Sequence, residues 1–130
     1  MSKGKTIGTW ILSGLLALAF LGAGGAKLSG APEMIQNFEG FGLPIWFMYL
    51  TGAIEVAAAA LLLIPKLAPI GAGLLIPTMI GAVLAHLSVA HPIGQMAPSI
   101  VLGLLTTGLL YLRRDRLKAL LPGGAEAVTA

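Results

Sequence analysis

Apolar residues run along the chain in four long stretches, which short segments rich in glycine and proline separate. The stretches cover about residues 7–26, 45–64, 68–90 and 97–112. A helix needs about 20 apolar residues to cross a hydrocarbon core of about 30 Å. The pattern therefore predicts an all-α fold, an integral membrane four-helix bundle formed by residues 1–122. The small and polar residues 123–130 predict a disordered tail.

The connections between the stretches predict how the helices follow one another. In the first and longest connection, residues 31–38 carry their apolar side chains on one side. This spacing predicts a short amphipathic helix that lies along the membrane surface. Pro65 and Pro69 bracket a very tight second connection. Tight links favour antiparallel neighbours in a helix bundle.

Basic residues indicate the orientation of the spans. With four spans, the two termini and the second connection share one side, and all Lys and Arg residues except Lys27 fall there. These residues are Lys3, Lys5, Lys66, Arg113, Arg114, Arg116 and Lys118. The positive-inside rule then predicts that both termini are cytoplasmic and that the amphipathic helix lies outside. We expect a multi-pass protein of the bacterial inner or plasma membrane.

Composition narrows the classes of function. Charged residues are 10% of the chain, against about 25% in soluble domains. This low share excludes an ordinary cytosolic enzyme. The net charge is only +3, and no run of basic residues carries interleaved aromatic residues, so nucleic acid is excluded as a partner. The chain has no cysteine, so thiol chemistry and cysteine metal sites are excluded. His86 and His91 are spaced poorly for two ligands on one helix face, and we predict no metal site.

Glu55 is the main candidate for chemistry. It lies 11 residues after Pro44, which places it about 15 Å into the second span and close to the midplane. A charged and unpaired carboxylate there costs about 3 kcal/mol or more. Glu55 should therefore face the interior, be protonated or have a partner. The small residues Gly52, Ala58 and Ala59 on its side of the helix favour the interior.

Depth along the helices predicts which polar residues surround Glu55. Thr78, Thr106 and Thr107 share its layer, whereas Lys27 and His86 are nearer the outer edge, where direct contact with Glu55 requires snorkelling or offset helix ends. The candidate ligand-binding residues are Glu55, Lys27, His86, Thr51, Thr78, Thr106 and Thr107. A purely structural role also stays open, with a neutral Glu55 hydrogen-bonded to a threonine or to a free carbonyl. We predict no catalytic residue set.

Several short motifs occur in a characteristic order over residues 8–112. They are Lys27-Leu28-Ser29-Gly30, Pro32-Glu33-Met34, Phe38, Gly42-Leu43-Pro44, Gly52-Ala53-Ile54-Glu55, Leu61-Leu62-Leu63-Ile64-Pro65 and His86. In order and spacing they resemble DoxX-like membrane proteins. The resemblance implies a small four-helix membrane protein linked to oxidoreductase systems, with Lys27, Glu55 and His86 as its polar set. The lack of cysteine argues against direct thiol redox chemistry and leaves quinone or lipid binding open.

Three functions are consistent with these features. The first is a non-catalytic accessory or binding module that holds a quinone-like or lipid-like ligand around Glu55 in a redox- or stress-linked pathway. Any redox role would be that of a membrane subunit of an oxidoreductase, with the lipid bilayer and a membrane or redox protein as partners. The alternatives are a proton-coupled small-molecule transporter and a membrane chaperone or scaffold for a larger membrane protein.

Overall fold

The computed structural model describes residues 2–121, which form six α-helices and no strand. The helices are α1 Lys3–Leu28, α2 Pro32–Gly40, α3 Ile45–Leu62, α4 Ala68–Ser88, α5 Ile93–Leu112 and α6 Arg114–Leu120. Four of them, α1, α3, α4 and α5, are long and apolar enough to cross a membrane. The prediction of an all-α fold with four spanning helices is confirmed. The predicted tail, residues 123–130, lies outside the described residues.

Local sequence explains where the helices begin and end. The Ser2 side chain accepts a hydrogen bond from a backbone N–H of the first turn of α1 and caps that helix. The prolines Pro44 and Pro92 stand just before α3 and α5. Gly30 and Gly42 have φ angles of 70° and 74°, which glycine adopts at little cost, and they turn the chain on either side of α2. The short helix predicted over residues 31–38 is confirmed as α2, and its location along the membrane surface stays a prediction.

The long helices pack in sequence order around an apolar core. Helix α1 packs against α3, α3 against α4, and α4 against α5, while α5 also touches α1. The largest fully buried apolar side chains of this core are Leu16, Phe20, Leu62, Leu75 and Leu109. Burial of such side chains stabilises the packing by about 1.5–3 kcal/mol each in water, and by less where lipid surrounds the helices.

Glycines allow α1 and α3 to approach each other closely. A Cβ atom added at Gly24 would lie 2.7 Å from the carbonyl oxygen of Gly52. One added at Gly52 would lie 2.8 Å from the Cβ atom of Lys27. Such distances are too short for real side chains, so only glycine fits at this crossing. The close approach places Lys27 of α1 directly beside Glu55 of α3.

The two ends of the helices differ in chemistry. At one end, here called the basic end, the beginning of α1 meets the end of α5, and the guanidinium carbon of Arg113 lies 5.3 Å from the ring centre of Trp10. The opposite end, here called the α2 end, carries α2 together with His86 and His91. The cytoplasmic location of the basic end stays a prediction.

Candidate functional site

A cavity of about 740 Å³ lies between the helices at the α2 end. All five of the helices α1 to α5 contribute to its wall, and Met34, Phe38 and Phe41 of the α2 segment cover it. Most of the lining is apolar. The polar side chains in it are Lys27, Asn37, Thr51, Glu55, Thr78, His86, Ser88, Gln95 and Ser99. Its volume is in the range of about 300–1,000 Å³ that is typical of small-molecule sites.

An ion pair forms part of the cavity wall. Lys27 Nζ lies 2.8 Å from Glu55 Oε1, and the two side chains are 14% and 1% exposed. The Gly24–Gly52 crossing explains this contact, because it brings the two helix backbones together just where these side chains begin. The lysine near the end of α1 therefore reaches the carboxylate in the middle of α3.

The carboxylate of Glu55 is not satisfied by the rest of the described chain. Neither of its oxygens accepts an aligned hydrogen bond from residues 2–121, so Oε1 has only the ion-pair contact and Oε2 has no partner. A buried acceptor without a partner costs about 1–3 kcal/mol. Oε2 can accept a hydrogen bond from a molecule in the cavity, and the ammonium of Lys27 has further N–H donors for the same molecule.

The four predicted threonines separate into two groups. Thr51 and Thr78 line the cavity, whereas Thr106 and Thr107 do not. Thr106 is fully buried and Thr107 is exposed. Each of the four hydroxyls donates to the carbonyl oxygen four residues earlier, at 2.8, 2.7, 2.6 and 2.8 Å in chain order. None of them donates to Glu55.

His86 lies at the cavity together with a second histidine that the sequence spacing did not suggest. Nδ1 of His86 lies 2.8 Å from Nδ1 of His91, so one ring donates an N–H and the other accepts it. The ring of Phe41 packs against both, with centroid distances of 5.0 and 5.7 Å. The contact forms because α4 ends at Ser88 and Ala90 then turns the chain back with a φ angle of 55°.

The polar residues of α2 and the start of α5 also escaped sequence reasoning. Asn37 of α2 and Gln95 of α5 line the cavity. The amphipathic pattern of α2 was the available signal, because it marks a side that must cover apolar surface. Among residues 2–121, no group of three or more His, Asp or Glu side chains lies close enough to hold a metal ion.

Comparison with known proteins finds a matching family and a relative. A family model described as the DoxX-like family matches residues 11–109, which include every residue that lines the cavity. Uncharacterized protein YdgD of Bacillus subtilis (strain 168) is 34% identical over 76 residues, which are 55% of this chain and 67% of that protein. No solved structure matches the chain.

Proposed function

We propose that this chain, which belongs to the DoxX-like family of membrane proteins, is a binding module that holds a quinone-like or lipid-like ligand in the cavity around Glu55. On this proposal Glu55 lies within the membrane, near its midplane, because it stands midway along α3. The module is a non-catalytic accessory in a redox- or stress-linked pathway. Its partner is a membrane or redox protein.

One observation carries the proposal: the Lys27–Glu55 ion pair forms the cavity wall and leaves Glu55 Oε2 without a partner. An ionisable residue within a membrane span is a functional candidate by default, because its burial is expensive. A ligand that donates a hydrogen bond to Oε2 would recover part of that cost. The pair therefore acts as a preformed polar anchor at the wall of an apolar cavity.

The chemistry of the wall indicates the class of ligand. The ion pair has no net charge, so it favours a neutral polar group over an ion. It offers a hydrogen-bond acceptor from Glu55 and donors from Lys27, which together suit a hydroxyl or carbonyl group. The apolar side chains of Phe38, Phe47 and Leu102 around the rest of the cavity suit a hydrophobic body. Quinols and glycerolipids with a free hydroxyl combine these two features and can donate to Oε2, whereas the carbonyl groups of a quinone can only accept from Lys27.

Ligand binding by purified protein tests the proposal. We would measure the melting temperature of the chain in mild detergent against rising concentrations of decylbenzoquinone, its quinol and monoolein. We expect at least one probe to raise the melting temperature saturably, since it binds the folded state alone. Glu55→Gln keeps the size of the side chain but removes its charge, and should weaken binding roughly tenfold.

Glu39→Gln is the matched control, because Glu39 is exposed on α2 and does not line the cavity. This variant should bind like the unmodified chain. Binding that is unchanged in Glu55→Gln would overturn the anchoring role of Glu55. If no probe has any effect while Glu55→Gln destabilises the protein, Glu55 serves helix packing, as the chaperone or scaffold alternative requires.

A further inference from the structure

A second and smaller cavity lies at the basic end. Its volume is about 280 Å³, and it shares no lining residue with the cavity at the α2 end. Thr6 and Trp10 line it from α1, Arg113 lines it from the junction between α5 and α6, and Asp115 and Arg116 line it from the first turn of α6. The beginning of α1 and the end of α5 thus enclose a polar space where the apolar helices end.

Arg113 differs from the other arginines of its run because it is buried. Its side chain is 7% exposed, and its Nε and Nη2 atoms have no hydrogen-bond partner among residues 2–121. Burial, and less strongly the charge of Arg116, lower the pKa of the Arg113 guanidinium. The ring of Trp10 makes a cation–π contact with the guanidinium, at 5.3 Å from the ring centre to the guanidinium carbon. The cation is therefore buried without an ion-pair partner among residues 2–121.

No carboxylate of residues 2–121 forms an ion pair with this cation. Within residues 2–121 the ion pair is that of Lys27 with Glu55, at the opposite end of the helices. Asp115 lines the same cavity but makes no ion pair with Arg113. A buried charge without a partner is strongly destabilising. An anion from outside the described chain would relieve this cost.

We propose that the cavity at the basic end binds the phosphate group of an anionic ligand, with Arg113 as the main donor and Arg116 as a second positive charge. A guanidinium offers a planar set of N–H donors that matches phosphate oxygens. The position suits a phospholipid headgroup, because it lies where apolar helices give way to basic residues. Free phosphate has the same chemistry, and the test below separates the two sources.

Arg114 provides the matched control. It is adjacent in sequence and carries the same charge, but it does not line the cavity. Its guanidinium carbon lies 4.3 Å from the ring centre of Tyr111, and its Nη1 donates to the Tyr111 carbonyl oxygen at 3.0 Å. Loss of Arg114 removes one surface charge and leaves the cavity intact.

Fluorescence of Trp10 reports on the cavity directly. Trp46 is the other tryptophan and lies outside this cavity, so Trp46→Phe leaves Trp10 as the sole indole. In this background we would titrate phosphatidylglycerol into detergent micelles and, separately, sodium phosphate at matched ionic strength. We expect a saturable change that Arg114→Gln retains and that Arg113→Gln weakens by about tenfold or more, as loss of a charge-assisted hydrogen bond implies.

The outcomes show whether the phosphate belongs to a lipid headgroup and whether the cavity binds phosphate at all. A response to phosphatidylglycerol alone identifies a lipid headgroup, and a response to both ligands identifies phosphate itself. Equal weakening by Arg113→Gln and Arg114→Gln, or no saturable response in the parent protein, overturns the proposal. If Arg113→Gln fails to fold, Arg116→Gln replaces it, and an unchanged response in that variant is then the contradicting result.

Discussion

The Lys27–Glu55 ion pair places two opposite charges in the wall of an otherwise apolar cavity. Its partners are buried unequally, because Glu55 is 1% exposed and Lys27 is 14% exposed. A lysine near a helix end can turn its ammonium outward along its flexible chain. The carboxylate of a glutamate in the middle of a helix cannot reach solvent in this way. Removal of Lys27 should therefore lower the stability of the protein by a different amount from removal of Glu55.

Single and double variants measure this asymmetry. We expect Lys27→Met to lower the free energy of unfolding by about 3–5 kcal/mol, since it leaves a fully buried carboxylate unpaired. Glu55→Leu should cost less, because the freed ammonium can reach solvent. The double variant should be more stable than Lys27→Met. Denaturant titration in detergent checks these values, and additive effects of the two substitutions would show that the pair is not coupled.

Sequence reasoning identified Glu55 and Lys27 but could not place every polar residue around them. Depth along a helix follows from residue number, so Thr78, Thr106 and Thr107 fall in one layer. Depth does not give the rotation of α5, which leaves Thr107 exposed, nor the extent of the cavity, beyond which Thr106 is buried in the core. The sequence also could not predict that Arg113 is the arginine buried without an ion-pair partner, because its neighbours Arg114 and Arg116 have the same side chain.

At the scale of helices, the α1–α3 crossing determines the site. Gly24 and Gly52 bring the backbones into contact, and the same contact sets Lys27 against Glu55. The small residues around Glu55 predicted that this side of α3 is packed closely, and Gly52, Ala58 and Ala59 are buried. The identity of the facing helix depends on contacts between distant parts of the chain, which local patterns do not contain.

Adjacent glycines of α1 give a direct test of the crossing. Gly24→Ala would place a methyl group 2.7 Å from the Gly52 carbonyl oxygen, whereas no atom lies within 4 Å of a Cβ at Gly25. We expect Gly24→Ala to reduce stability by about 1–3 kcal/mol through overpacking. Gly25→Ala should be neutral or should stabilise the helix by up to about 1 kcal/mol. Thermal unfolding of both variants decides, and equal stabilities would contradict a close crossing.

At the scale of the whole molecule, four spans and their short connections followed from the sequence because hydrophobic length alone defines a spanning helix. The helices α3 and α4 begin at Ile45 and Ala68, as predicted. Helices α1 and α5 begin earlier than the apolar stretches, at Lys3 and Ile93, because residues that interrupt an apolar run, such as Lys5 and Gln95, still continue a helix. Hydropathy defines the span and not the full helix.

The orientation in the membrane is also a property of the whole molecule. Basic residues gather at the end that holds both described chain ends, which predicts a cytoplasmic location for that end. Fusions of green fluorescent protein and of alkaline phosphatase to the C terminus test it in bacterial cells. We expect a fluorescent first fusion and an inactive second one. Active alkaline phosphatase would place the C terminus outside the cytoplasm and contradict the predicted orientation.

The central claim is that the cavity at the α2 end holds a small neutral ligand against the Lys27–Glu55 pair. Native mass spectrometry of the chain, purified from membranes in mild detergent without added ligand, tests it most directly. We expect a defined small molecule on the unmodified chain and on Glu39→Gln, and its loss from Glu55→Gln. A molecule retained equally by all three forms, or none on any of them, would contradict the claim.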